Sequence, residues 1–141
     1  MITPRIVIDT NLFLSVFVFR GKMAKLIFEL VLDDKLTLYV SSNLRKELKD
    51  KFDHFAVSQE VQQKVMLFLE RKGVLVEPEM TIAASRDAKD NFLLEIAESA
   101  EAQFLVTRDK DILVLEKWKE TVILSPEDFL PQLRKRGILT S

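Results

Sequence analysis

The apolar positions of this chain switch between a period of two and a period near 3.6, and the switches mark out its elements. Arg5-Ile6-Val7-Ile8-Asp9 is β-branched and apolar, predicting a short buried strand that ends on a carboxylate. Leu12 to Phe19 is apolar nearly all round, so its period does not separate a buried helix from a strand. From Met23 to Leu32, the residues Ala24, Ile27, Phe28 and Val31 keep the i, i+3, i+4, i+7 spacing of an amphipathic helix. Leu36 to Val40 predicts a second strand. Ser42 is read as the N-cap of the next helix, with Leu44, Leu48, Lys51 and Phe55 along one stripe. Ser58 caps another helix, with Val61, Val65, Phe68 and Leu69 inward, and Gly73 ends it as glycine does just past a helix.

Val74-Leu75-Val76 predicts a third strand, closed by Pro78. From Asp87 to Ala100 the period is helical again, with Leu93, Ile96, Ala97 and Ala100 on one face. Phe104-Leu105-Val106 is a fourth strand and Val122-Ile123-Leu124 a fifth. Ser125-Pro126-Glu127-Asp128 opens the last helix, with a capping serine, proline at the first helical position and an acid at the third.

Strands alternating with helices predict an α/β domain: a mostly parallel central sheet of about five strands with helices on both faces. No linker or repeat interrupts the pattern, so residues 1–141 are read as a single domain. Ligands of such sheets bind beyond the carboxyl ends of the strands, where strand order reverses.

Composition narrows the chemistry. With 141 residues, 48% of them hydrophobic and 30% charged, the chain can bury a core of its own and is not a disordered one. It has no cysteine, which removes a disulfide framework, a thiolate zinc site and a cysteine nucleophile. One histidine, His54, leaves no His-rich metal site; it is expected to be a partly exposed residue after a helix, and Trp118 a packing residue. The first residues lack the apolar stretch of a signal peptide, and no apolar run is long enough to span a bilayer, so a soluble cytoplasmic protein is expected. The formal net charge of −1 supplies no overall attraction for nucleic acid; local basic residues would have to hold it.

Two strands lead into carboxylates. Ile8 precedes Asp9, and Val106 leads through Thr107-Arg108 to Asp109 and Asp111. If these strands are neighbours at the sheet centre, Asp9 and Asp109 converge; the competing reading is that each merely caps a turn or helix. Glu47 borders the buried stripe of its helix, where it either joins the acids or pairs with Lys51 at i+4. Asp87 and Asp90 lie one helical turn apart; Asp87 suits a cap, which explains Asp90 less completely. Gathered carboxylates repel unless a cation sits among them, and oxygen donors without His or Cys select Mg²⁺ or Mn²⁺.

At these residues the sequence resembles the PIN-domain ribonucleases, nearest to the VapC-like branch of toxin–antitoxin toxins. The matching pieces are Val7-Ile8-Asp9-Thr10-Asn11, Val40-Ser41-Ser42 leading to Glu47-Leu48, Ser85 through Leu93, and Leu105 through Asp111. They follow family order and spacing, and the likeness runs from Ile6 to about Phe129. Ala88 stands where the family often has proline, a departure that concerns helix entry. The resemblance implies a PIN fold and a catalytic, metal-binding set of Asp9, Glu47, Asp90 and Asp109. Asp90 is preferred to Asp87, and Asp109 to Asp111, by register; Asp111 either completes the site or caps the helix after it. It also implies hydrolysis of RNA phosphodiester bonds to a 5′-phosphate and a 3′-hydroxyl. Asn11 and Ser15 resemble residues that line or brace such sites, and Thr107 the hydroxyl that orients the strand-end acid. By the same analogy the chain pairs with an antitoxin and forms a homodimer.

Arg86, Lys89, Arg108 and Lys110 interleave with the acids and are candidates for holding RNA phosphates, against mutual ion pairing across the rim. Arg20 and Lys22 are further candidates. Arg134-Lys135-Arg136 is read as a solvated helix end. A phosphoacceptor receiver domain is a competing α/β reading, but it needs an acidic doublet where this chain has Asp9-Thr10 and Lys-Pro where it has Ser125-Pro126. Two further readings stay within the PIN-like fold: a module that binds RNA or protein without cleaving, and a nuclease of RNA processing.

Overall fold

The computed structural model describes residues 2–18, 21–84 and 91–140. Its centre is strand β1 (Arg5–Ile8), in which Ile6, Val7 and Ile8 are all fully buried. A strand buried on both faces cannot alternate apolar with polar, which is why this one reads as a continuous apolar run. β1 pairs in parallel with β2 (Thr37–Val40) on one side and β4 (Phe104–Val106) on the other. β2 continues in parallel to β3 (Gly73–Leu75), and β4 to β6 (Thr121–Leu124). The six-stranded order is β3-β2-β1-β4-β6-β5, with β5 (Lys117–Trp118) antiparallel at the edge. Strand order therefore reverses between β1 and β4, and their carboxyl ends face the crevice where α/β sheets carry their chemistry.

The helices close the sheet. The apolar run of indistinct period is α1 (Thr10–Phe17), a helix that begins directly after β1. With α2 (Lys22–Leu32) and α4 (Gln59–Lys72) it builds an aromatic cluster, in which the rings of Phe13, Phe17, Phe28 and Phe68 meet edge-on or tilted at 4.9–6.4 Å. Such ring pairs add to the stabilisation from area burial. α3 (Ser42–His54) packs on α1 and on α5 (Asn91–Ala100), which itself lies across β1, β2 and β4. α6 (Lys110–Leu113) is a single turn beside β6, and α7 (Pro126–Lys135) covers α2. The last helix keeps its predicted start, with Ser125 accepting from Asp128 N–H and Pro126 at the first helical position. The basic end of α7 falls in its last turn and cap, and the Arg136 guanidinium lies over the Phe104 ring.

Several sequence expectations are corrected. The cap of α3 is Ser41, whose hydroxyl accepts from Leu44 N–H, whereas Ser42 is the first helical residue. Phe55 does not join the buried stripe: α3 ends at His54, so Phe55 is exposed and Phe52 takes the core position. Gly73 ends α4 as expected, and it does so in extended backbone. Its reason is close approach, since a Cβ there would stand 2.6 Å from the Leu69 carbonyl and 3.0 Å from Val40. The edge strand β5, carrying the half-buried Trp118, has no counterpart in the sequence pattern; two residues are too few to form one. The start of the fifth helix at Asp87 lies outside the described residues. No helix among the described residues is long and apolar enough to cross a membrane.

Candidate active site

Asp9 is the first residue after β1 and is still tied to the sheet, its N–H donating to the Val106 carbonyl at 3.0 Å. The residue is buried, 3% exposed, which a carboxylate tolerates only with its lone pairs occupied. Oδ1 accepts from Asn11 N–H at 3.2 Å, which caps α1, and from the Thr10 hydroxyl at 3.3 Å. Oδ2 accepts from the Thr107 hydroxyl at 2.7 Å. Thr107, fully buried just past β4, also accepts from Asp109 N–H at 3.0 Å through the same oxygen. Asp109 Oδ1 in turn caps α6, accepting from Asp111 N–H at 2.8 Å. The capping reading holds for both strand-end acids, since Asp9 and Asp109 cap the helices they open, and adjacency of β1 and β4 brings the Asp9 carboxylate and the Asp109 backbone N–H to one threonine.

Glu47 reaches this group through a lysine. Lys51, one turn later on α3, places its ammonium 2.7 Å from Thr10 Oγ1, 2.6 Å from Asn11 Oδ1 and 3.7 Å from Glu47 Oε1. The i+4 ion pair is therefore present, but it is aimed at the start of α1, not along a solvated face. Asp109, Thr107, Asp9, Thr10, Lys51 and Glu47 form one continuous run of polar contacts at the carboxyl edge of β1 and β4.

The remaining expected residues divide. Asp90, Asp87, Arg86, Lys89 and Arg20 lie outside the described residues. Ser15 does not join the run; its side chain meets the turn before α2, where a Cβ on Gly21 would stand 2.3 Å from Ser15 Oγ. Asn11 joins through its side-chain oxygen, and the cap of α1 is Asp9 rather than Asn11. Arg108 is committed elsewhere: its Nε and Nη2 donate to Glu127 Oε1 at 3.2 and 2.7 Å. That guanidinium holds the Glu127 carboxyl below the usual carboxylate range. Lys110 is exposed and Asp111 half-buried on the turn beside Asp109. His54 is exposed at the end of α3, its ring edge-on to Phe55.

Sequence reasoning missed Thr10 as a site residue, and it placed Lys51 on the inward stripe beside Glu47 without its contacts to Thr10 and Asn11. It also missed Glu77, whose Oε1 accepts from the Ser42 hydroxyl at 2.6 Å and N–H at 3.3 Å, a second support at the start of α3. Thr10 is signalled only by its place directly after the strand. Nothing in the chain pattern signals Glu77, which is 35 residues from its partner.

This geometry has counterparts among known proteins. The family model for the PIN domain matches residues 5–111, from the first residue of β1 to the turn after Asp109. The chain belongs to the PIN domain family. An uncharacterized protein of Methanocaldococcus jannaschii, MJ1680, is 23% identical to this PIN domain over 144 residues, covering 93% of this chain and 92% of the relative. The crystal structure of VapBC2 from Rickettsia felis bound to a DNA fragment from their promoter superposes with a TM-score of 0.63. That match covers 86% of this chain and 98% of the other at 14% identity, a likeness of fold.

Among the described residues of the PIN domain, no three acidic, His or Cys side chains gather closely enough to hold a metal ion. The described acids at the edge are Asp9, Glu47, Asp109 and Asp111. Their donors are carboxylate oxygens alone, a set suited to Mg²⁺ or Mn²⁺ rather than to zinc or copper.

Proposed function

We infer that this PIN domain is a divalent-metal-dependent endoribonuclease, with Asp9, Glu47, Asp90 and Asp109 as its catalytic acids and Asp111 as an accessory. The observation that carries the reading is the Thr107 hydroxyl, which holds the Asp9 carboxylate and the backbone N–H of Asp109 together at the reversal of strand order. Family membership supports phosphodiester hydrolysis. The four acids would hold Mg²⁺ or Mn²⁺, which in such sites activates water and offsets the charge of the substrate phosphate. The chain's own residues do the positioning. Thr107, Thr10 and the Asn11 amide fix the Asp9 carboxylate by three hydrogen bonds, so it cannot swing to solvent. Thr107 fixes the backbone of Asp109 with the acceptor side of the same hydroxyl.

RNA would be held by basic residues that neighbour the acids in sequence. Arg86, Lys89 and Lys110 are the candidates for its phosphates, while Arg108 enters only by giving up Glu127. The likeness of fold to VapBC2 supports reading the chain as a toxin with a protein antitoxin; a homodimer acting in the cytoplasm is the form we propose for it. RNA processing is the second reading, favoured by the same site and separated from the first by whether expression arrests growth. Purified protein with Mg²⁺ or Mn²⁺ should cleave single-stranded RNA, EDTA should stop cleavage, and Asp9→Asn should abolish it. Cleavage that survives EDTA and Asp9→Asn together would overturn the assignment.

A further inference from the structure

We propose that Lys51 is the resident cation of the acidic edge, and that it competes with the divalent ion for Glu47 and so sets the affinity for metal. The inference rests on the metal-dependent reading above and adds a residue to it. Three contacts define the ammonium: Thr10 Oγ1 and Asn11 Oδ1 at hydrogen-bond length, and Glu47 Oε1 at 3.7 Å. The first two acceptors are neutral and belong to the turn that Asp9 opens. They hold the charge at the edge whether or not Glu47 stays with it.

A lysine paired only for helix stability would lie along the solvated face, tied to its i−4 acid alone, as Lys64 lies by Glu60 and as Lys25 lies by the acid one turn on, Glu29. Both of those lysines are about two-thirds exposed, whereas the Lys51 side chain is 21% exposed and the Glu47 side chain 34%. The difference matters because the attraction between unit charges grows as water is excluded, and so does the repulsion between a fixed ammonium and an arriving divalent ion. A cation at this place lowers the mutual repulsion of the acids in the metal-free protein. Entry of the divalent ion must then separate Glu47 from Lys51 and proceed against the charge that remains on Thr10 and Asn11.

The test is Mn²⁺ binding by titration calorimetry on the full chain. Wild type is compared with Lys51→Met, which keeps the aliphatic stem, Lys51→Gln, which keeps polarity, and Lys51→Arg, which keeps the charge. Removal of the charge should lower the Mn²⁺ Kd about tenfold or more, tenfold being the order set by a unit charge near a divalent ion under water-like screening. Lys51→Arg should stay close to wild type. In EDTA the neutral variants should melt a few degrees below wild type, and saturating Mn²⁺ should erase or reverse that difference. A lysine of purely structural value predicts the opposite: neutral variants that bind Mn²⁺ no better and stay destabilised when it is saturating. Equal or weaker Mn²⁺ binding by both neutral variants overturns the role of Lys51 and leaves the nuclease reading standing. Absence of Mn²⁺ binding from every protein overturns both. Binding by the neutral variants alone supports the competition in its strongest form.

Discussion

The hydroxyl of Thr107 donates to Asp9 Oδ2 at 2.7 Å although the two residues stand 98 apart in the chain. Parallel pairing of Ile8 with Val106 leaves Asp9 and Thr107 as the next residues beyond their strands, so the register of β1 on β4 sets the contact. The same oxygen accepts from Asp109 N–H at 3.0 Å. One buried side chain therefore fixes the Asp9 carboxylate on the neighbouring strand edge and the backbone of Asp109 on its own. Glycine or alanine there would leave Asp109 N–H without its acceptor and Asp9 with an unfilled lone pair.

Thr107→Val tests that arrangement with little change of shape. It should lower stability by about 1–3 kcal/mol, the cost of leaving buried polar groups unpaired. It should also weaken Mn²⁺ binding or cleavage by roughly 10–100-fold, as loss of a residue that orients a metal ligand does. Thr107→Ser keeps the hydroxyl and should retain most of both. Urea unfolding and cleavage assays on the two variants check it; a Val variant as active as wild type would show that the hydroxyl does not position the acid.

Asp87 and Asp90 are distinguished by sequence register alone. Asn caps a helix about as well as Asp, so Asp87→Asn should leave both cleavage and melting temperature nearly unchanged. Asp90→Asn should remove cleavage while the fold persists, because an amide cannot replace the charge of a metal-binding carboxylate. Single-turnover cleavage with circular dichroism melts on both variants measures this. An inactive Asp87→Asn beside an active Asp90→Asn would move the catalytic acid back by one turn.

Arg108 and Glu127 give the protein a small dependence of stability on acid. The guanidinium lowers the Glu127 carboxyl in the folded chain, so the folded state binds that proton less readily than the unfolded one. The stabilisation is therefore full above the unfolded value, about 4.3, and fades as pH falls through the lower folded value. Both side chains are 46% exposed, so water and salt screen the pair and it contributes no more than about 0.2–1 kcal/mol. Glu127→Gln should be less stable than wild type by that amount at neutral pH, and the two should converge once the carboxyl is protonated in both states. Urea unfolding across a pH series measures this, and a difference that grows on acidification would contradict the cause assigned here.

Periodicity and local turn chemistry are enough to read most of this domain, because both act within four residues. The caps at Ser58 and Ser125 each bond the N–H three residues on, and the helices they begin lie where the pattern predicts. The alternation of strand and helix, the apolar run of β1 and the carboxylates after two strands likewise follow from the chain alone, and with them the family. Where two neighbours are chemically alike, local reading has no means to choose. Ser41 and Ser42 are identical in type, and the extended conformation of Ser41 is what makes it the cap. What tertiary structure alone decides is which polar groups meet. Sheet order makes β1 and β4 neighbours and so delivers Thr107 to Asp9. The packing of α3 on α1 gives Lys51, besides its i−4 partner Glu47, the acceptors Thr10 and Asn11 and so makes it a cation at the acidic edge. Arg108 is paired with Glu127, 19 residues away at the start of α7, a partner the sequence does not announce. These are contacts between residues far apart in sequence, and a hydrophobic period carries no information about polar partners across elements. It reports which face of each element is dry; the polar chemistry is arranged where those faces end.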